Sequence, residues 1–292
     1  MSDTLKLKAL AKINLGLDVI GKRDNGYHDV RMVMQTIYLY DNVTIQKTEK
    51  PGIHLQTNLF YLPVDENNIA YKAAKMLIEE FGIKEGVKII LDKHIPVAAG
   101  LAGGSSNAAA VLVGMNRLFG LGLSEQELKD RGVKLGADVP YCIMRGTALA
   151  EGIGEELTSL APLPKCYVLI AKPPISVSTK VVYEKLDSHE IENHPDIDSL
   201  IEGLEAADLE KVAAAMGNVL ENVTIELHPV IAEIKEMMTQ SGAIGAMMSG
   251  SGPTVFGIFN DRKLGKQAQK EIRRKGLAKQ VYLVNVHNNR RK

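Results

Sequence analysis

Apolar residues recur along this chain at two spacings, and the switch between the two predicts its elements. Residues 5–20 and 32–46 alternate apolar with polar positions, the second run with β-branched and aromatic side chains, which predicts two strands. Residues 68–81 carry apolar side chains at helical spacing, 87–92 form a short strand, and 105–119 form a helix that follows a glycine-rich turn. The spacing predicts a further helix over 124–135, opened by Ser124 and Glu127 as a capping box. Strand pieces at 147–150 and 155–160 flank a turn at Gly152 and Gly154.

The pattern then restarts. Pro162 and Pro164 precede a new apolar strand at 167–171, so a domain junction is placed near residue 162, dividing the chain into 1–162 and 163–292. Beyond it come an element over 177–186, an acidic helical region over 197–220 and a helix over 229–241. Strands at 243–248 and 254–259 are separated by Ser249, Gly250, Ser251 and Gly252, and a basic helix over 264–275 leads to a last strand at 280–286. Strands interleaved with helices in this way predict an α+β fold. No internal repeat or low-complexity tract interrupts them.

Composition narrows the function classes. At 292 residues and 45% hydrophobic content the chain can bury a real core. Its 35 basic residues balance 35 acidic ones, leaving no net field to gather nucleic acid or an anionic membrane, so neither is an expected partner. The two cysteines, Cys142 and Cys166, are too few for a disulfide framework and lack metal-ligand spacing. They suit a reducing cytoplasm and predict buried packing residues. No apolar stretch has the length of a signal sequence or a membrane span, so a cytoplasmic location is expected, and nothing in the chain requires an obligate protein partner.

The candidate chemistry centres on residues 95–110, Ile-Pro-Val-Ala-Ala-Gly-Leu-Ala-Gly-Gly-Ser-Ser-Asn-Ala-Ala-Ala. Gly100, Gly103 and Gly104 are free to adopt positive φ, and Ser105 or Ser106 can cap a helix whose first amides are unpaired. Those amides and the helix dipole favour a phosphate, which suggests a nucleotide. No Lys-Ser or Lys-Thr closes the loop as in a Walker A element, and the glycine spacing is not the dinucleotide fingerprint. The alternative is a strand-to-helix turn whose small residues only permit close packing. Lys12 lies among apolar neighbours, where a charge is costly unless paired or at work, although the same alternation fits an exposed strand face. Asp138 follows a helix in a turn, where a carboxylate caps amides or acts as a base.

Three separated segments together carry a family resemblance: Lys12 with its strand, the loop from Pro96 to Ser106, and residues 249–254, Ser-Gly-Ser-Gly-Pro-Thr. In these the chain resembles the GHMP kinases, a family of small-molecule kinases, almost end to end. Residues 11–15 (Ala-Lys-Ile-Asn-Leu), 25–28 (Asn-Gly-Tyr-His), 34–36 (Met-Gln-Thr) and 136–139 (Gly-Ala-Asp-Val) are most similar to the branch of that family acting on a cytidylated methylerythritol. The resemblance implies an N-terminal domain like ribosomal protein S5 domain 2 and a C-terminal ferredoxin-like domain, with the active site in the cleft between them. It also implies ATP-dependent phosphorylation of the 2-hydroxyl of 4-diphosphocytidyl-2-C-methyl-D-erythritol, a step of non-mevalonate isoprenoid synthesis, giving the 2-phosphate and ADP.

Carried onto this sequence, the resemblance makes Asp138 the base and Lys12 its orienting cation. It assigns the ATP phosphates to Pro96, Val97, Ala98, Ala99, Gly100, Leu101, Ala102, Gly103, Gly104, Ser105 and Ser106, with magnesium expected alongside and no protein ligand assigned. Ala98, Ala99 and Ala102 stand where relatives often carry glycine, and alanine resists positive φ. Tyr27 and His28 would take the cytosine, with Asn14 and Tyr183 as further candidates for that pocket. Gly250, Ser251 and Gly252 would bring amides and the hydroxyl of Ser249 or Ser251 toward the reacting phosphate, although the same residues also fit a tight connection between strands. Another GHMP kinase, acting on mevalonate, homoserine or a sugar, would share the glycine segments, and so would a non-catalytic regulator on the same fold. His54, His94, His189, His194, His228 and His287 lack metal-ligand spacing and are assigned to surface or packing, as are the charges of 273–275 and 290–292.

Overall fold

The computed structural model describes residues 3–188, 191 and 193–289, so His189 and the charges of 290–292 lie outside the described residues. The chain forms two compact units, each assembled from separate stretches. One holds the chain up to Ala11, Leu39–Val97 and Ala102–Met144, and the other holds Lys12–Tyr38, Ala98–Leu101 and the chain from Arg145. Two long strands, β1 (Thr4–Lys22) and β2 (His28–Thr48), run through both.

In the first unit β1 and β2 are joined by β3 (Ile53–Thr57) and β4 (Gly86–Asp92) in the order β3-β4-β2-β1. Strand β4 runs antiparallel to β2, from Asn42 opposite Asp92 to Thr48 opposite Gly86, and β3 runs parallel to β4. Helices α1 (Ile69–Phe81) and α2 (Gly103–Phe119) pack on one another. Val43, Ile45, Ile89, Leu77, Val111 and Met115 are fully buried. Helix α1 begins where its sequence predicts, because the Asn68 side chain accepts the Ala70 amide at 3.0 Å. Helix α3 (Glu125–Gly132) carries the expected capping box of Ser124 and Glu127. Two elements were not predicted. Strand β3 is a five-residue strand with His54 and Gln56 among its residues, too short for its alternation to register. Helix α4 (Val139–Met144) contains Pro140, which reads as a turn signal but sits in the first turn, where its missing amide costs nothing.

In the second unit, β8 (Gly217–Asn218) pairs parallel with β1 at Gly16 and Leu17. Strand β5 (Thr147–Glu151) runs antiparallel to β2, and β6 (Glu156–Ser159) runs antiparallel to β5. A separate four-stranded sheet comprises β7 (Tyr167–Lys172), β9 (Gly245–Met248), β10 (Val255–Phe259) and β11 (Gln280–Asn285) in the order β11-β7-β10-β9. Its pairs are antiparallel, with helices between β7 and β9 and α10 (Arg262–Arg274) between β10 and β11. That is the split β-α-β arrangement of ferredoxin-like sheets. Helices α5 (Thr179–Leu186), α6 (Ile197–Glu205), α7 (Leu209–Ala214), α8 (Leu220–Leu227) and α9 (Val230–Gln240) complete the unit.

The single helical region expected over 197–220 is corrected to two helices and a strand. Ala207 turns the chain at φ 52°, and the Asp208 carboxylate then accepts the Lys211 amide at 3.0 Å and starts α7 afresh. A capping carboxylate competes with helix continuation for the same backbone groups. Both cysteines are free and buried as expected, and burial pushes the Cys166 thiol up to about 12. Among the described residues no helix is long and apolar enough to cross a membrane.

Candidate active site

The glycine loop adopts left-handed conformations, but not where its glycines led us to expect them. Positive φ falls at Ala98 (49°), Gly100 (71°) and Ala102 (54°), while Gly103 and Gly104 are already helical. The expectation that Ser105 or Ser106 caps the helix is corrected too, because the N-cap is Ala102, two residues earlier than the predicted start allows. Its methyl group cannot accept a hydrogen bond. The first helical bond runs from the Ser106 amide to Ala102 O at 2.8 Å, so the amides of Gly103, Gly104 and Ser105 precede it and meet no acceptor among the described residues. Pro96, Ala99 and Leu101 are buried, whereas Ala98 and Gly104 are exposed. Ser106 is buried, donates its hydroxyl to Leu10 O and lies 3.4 Å from Cys142 Sγ, which leaves Ser105 as the hydroxyl nearest the open amides in sequence. An uncapped end on a 17-residue helix fits a phosphate.

Beneath that helix end in the first unit lies a buried network that the sequence reading missed. The Lys93 ammonium, its side chain 4% exposed, pairs with Asp41 and donates to Asn107 Oδ1 at 2.8 Å. Asn107 Nδ2 donates in turn to Asp41 Oδ2 at 2.9 Å, and Asp41 Oδ1 accepts the amides of His94 at 2.6 Å and Ile95 at 2.8 Å. The loop's entry and the second turn of α2 are therefore tied to one carboxylate on β2. The signal was present, since Asp41, Lys93 and Asn107 are each polar residues set among apolar ones. Asp138 also belongs to this unit. It is half-buried, sits in the turn between α3 and α4 as expected, and its carbonyl accepts the Cys142 amide at 3.0 Å.

In the second unit, Lys12 is 5% exposed, which excludes the exposed-face alternative. Its ammonium donates to Asn14 Oδ1 at 2.7 Å, and its amide donates to Leu101 O at 3.2 Å, fixing strand β1 to the loop. Asn14 is fully buried and directs its amide at Met32 Sδ, 3.4 Å away. Gly100 lies so close to Ser249 that an added Cβ would stand 2.1 Å from Ser249 O, and Ser249 Oγ donates to Gly100 O at 3.0 Å. The two glycine segments thus meet. The Ser249 hydroxyl is engaged on Gly100, and that of Ser251 with Thr179 Oγ1 at 2.7 Å. Gly250 and Gly252 take φ of 58° and 85°, and Asn218 Nδ2 holds the Gly250 carbonyl at 2.8 Å.

The candidate base pocket also lies in this unit. Gly26, at φ 85°, turns the β1–β2 hairpin, the Asn25 side chain accepts the Tyr27 amide at 3.1 Å, and Tyr27 is left 58% exposed. His28, the first residue of β2, stacks at 4.7 Å between centroids on Tyr183, which α5 supplies. The structure therefore groups Tyr183 with His28, and Asn14 with Lys12 and Gly250. Outside this pocket, His94 and His194 contact Asp92 and Asp18, and burial followed by the charge of Arg145 holds His287 below the usual histidine range. Among the described residues no three His, Cys, Asp or Glu side chains gather as a metal cage.

An uncapped helix end in one unit and a ferredoxin-like sheet with a glycine turn in the other define an α+β protein. Residues 68–146 match the model of the GHMP kinases N-terminal domain and residues 200–278 that of the GHMP kinases C-terminal region. The chain belongs to the GHMP kinase family and has its fold. It is 58% identical over 280 residues to a 4-diphosphocytidyl-2-C-methyl-D-erythritol kinase of Lachnospira eligens, covering 96% of this chain and 97% of that one. A crystal structure of 4-(cytidine 5'-diphospho)-2C-methyl-D-erythritol kinase matches with a TM-score of 0.83 at 30% identity, covering 98% of this chain and 100% of that one. Homoserine kinase from Cytophaga hutchinsonii matches with a TM-score of 0.79 at 22% identity, covering 98% and 96%, so the fold alone does not choose the alcohol.

Proposed function

We propose that this protein transfers the terminal phosphoryl group of ATP to the 2-hydroxyl of 4-diphosphocytidyl-2-C-methyl-D-erythritol, giving ADP and the 2-phosphate within non-mevalonate isoprenoid synthesis. The observation that carries this reading is 58% identity to a kinase named for that substrate along 96% of the chain. The open amides of Gly103, Gly104 and Ser105 support the nucleotide half of it, since oriented donors at a helix end favour phosphate oxygens. ATP supplies the phosphoryl group, and the magnesium expected with it would neutralise phosphate charge while being held largely by phosphate oxygens and water. Asp138 takes the proton of the substrate hydroxyl. Lys12 orients Asp138 and offsets the negative charge that develops on transfer. Tyr27 and Tyr183 present ring faces to the cytosine, His28 presents an edge, and Asn14 and the backbone of Gly250, Ser251 and Gly252 line the substrate side. A junction near residue 162 falls between the two matched family segments, and two buried free thiols accord with a cytoplasmic location.

The test is ADP release by the purified protein with ATP and magnesium, against the cytidylated substrate, the methylerythritol phosphate lacking cytidine, mevalonate and homoserine. Turnover is expected with the first alone. Turnover confined to another alcohol would discard the substrate, and ATP binding with silence on all four would favour a regulator. In the same assay, Asp138→Asn is expected to keep the wild-type melting temperature and lose roughly 10²- to 10⁴-fold in turnover, the usual contribution of a positioned base. Near-wild-type turnover would remove Asp138 from the mechanism.

A further inference from the structure

His28 makes a contact that the cytosine reading does not use. Its Nε2 lies 2.7 Å from Asp187 Oδ1, and the other oxygen of that carboxylate accepts the Lys22 ammonium at 2.6 Å. Asp187 stands at the C-terminal cap of α5, one turn beyond Tyr183, so a single short helix supplies both the ring stacked on His28 and the carboxylate on its edge. The hydrogen bonds from Lys22 and then His28 hold the Asp187 carboxyl below the usual carboxylate range, so it accepts and does not donate. The Nε2 facing it must therefore carry a proton. In the neutral imidazole this leaves Nδ1 as a bare acceptor. Nδ1 has no hydrogen-bond partner among the described residues, and the His28 side chain retains 9% exposure through which a ligand can be met.

We propose that Asp187, oriented by Lys22, is the positioning residue that makes this site choose cytosine over uracil. This rests on the substrate reading above. The two bases differ at position 4: cytosine presents an amino group that donates, and uracil a carbonyl that accepts. An imidazole held with Nδ1 bare accepts from the amino group and repels the carbonyl. Lys22 makes the arrangement one-way. Its ammonium has donors only, so it demands an oxygen on its side of residue 187. If that residue is an asparagine, the oxygen turns to Lys22 and the amide nitrogen turns to His28. The histidine then loses its acceptor at Nε2 and moves its proton to Nδ1, where it donates to a uracil carbonyl instead.

The experiment compares kcat/KM for 4-diphosphocytidyl-2-C-methyl-D-erythritol and its uridine counterpart in the wild type, Asp187→Asn and Lys22→Met. The wild type is expected to prefer cytidine. Asp187→Asn is expected to lower the cytidine-to-uridine ratio by about tenfold or more, the scale of one hydrogen bond lost against one base and gained on the other. Lys22→Met, which removes the orienting cation and keeps the carboxylate, is expected to move the ratio less and in the same direction, and it provides the reading if Asp187→Asn does not fold. A merely structural role for Asp187 raises KM for both substrates by one factor, and that unchanged ratio would overturn the inference alone. A wild type that turns over neither substrate would overturn it together with the functional reading.

Discussion

The two glycine segments are close in composition and opposite in how they use it. Residues 249–252 direct their hydroxyls at neighbours within the fold. Ser249 bonds Gly100, Ser251 bonds Thr179, the Gly252 amide returns to Ser249 O at 3.0 Å, and the positive φ angles fall on glycines. Residues 98–105 do the reverse. Two of their three left-handed positions are alanines, and the amides of Gly103, Gly104 and Ser105 are left without an acceptor. The first segment joins two strands through a tight turn, and the second opens a helix as a cradle. What separates them is where the unspent donors sit: those of Gly103, Gly104 and Ser105 open a 17-residue helix whose dipole reinforces them, while Gly250 and Ser251 lie in a turn, a difference that glycine counting does not reveal. A cradle with unspent donors has to be held from outside itself, and here the Asp41–Lys93–Asn107 network holds its two ends.

Breaking that external anchor is expected to have the largest effect. Lys93→Met leaves the fully buried Asp41 with two amides and Asn107 as its partners and no cation, and removing one partner of a buried pair typically costs about 3–5 kcal/mol. The urea midpoint should fall accordingly. The double variant Lys93→Met with Asp41→Leu should recover much of that loss, because an apolar replacement of the whole pair avoids the orphaned charge. A single variant as stable as the wild type would show that the pair does not anchor the loop.

Contact between the segments comes next. In Gly100→Ala the new Cβ would stand 2.1 Å from Ser249 O at a φ of 71°, so both the steric clash and the backbone conformation oppose it. A destabilisation of about 2–4 kcal/mol is expected, with KM for ATP raised. An unchanged KM and urea midpoint would mean that the two segments do not touch as described.

Legibility from sequence followed the same division. Elements defined by long periodic runs, such as β1, β2 and the body of α2, and by a local cap, as at Ser124, are legible because period and cap chemistry are properties of neighbouring residues. The placement of Lys12 on a buried strand was left open, because alternation alone does not say which face is covered. The Asp41–Lys93–Asn107 network joins residues 66 positions apart at its widest, and no local pattern reports such a meeting. The break at Ala207 was hidden for a different reason, since a single left-handed alanine leaves the helical composition on both sides intact.

The alanines in the loop provide the smallest and most selective test. Ala102 sits at φ 54° and ψ 32° as the N-cap of α2, a position where glycine is favoured both for its left-handed backbone and as a cap. Ala102→Gly relieves strain in the folded loop but gives the unfolded chain more freedom, and the two effects oppose each other. At positive φ the strain term is the larger, so a net stabilisation of about 0.5–1 kcal/mol is expected, read as a rise of roughly 2 °C in melting temperature. The same change at a residue with ordinary helical φ would lower it. A fall on Ala102→Gly would therefore place this residue in the right-handed region in solution, and the left-handed N-cap that distinguishes this loop would fail with it.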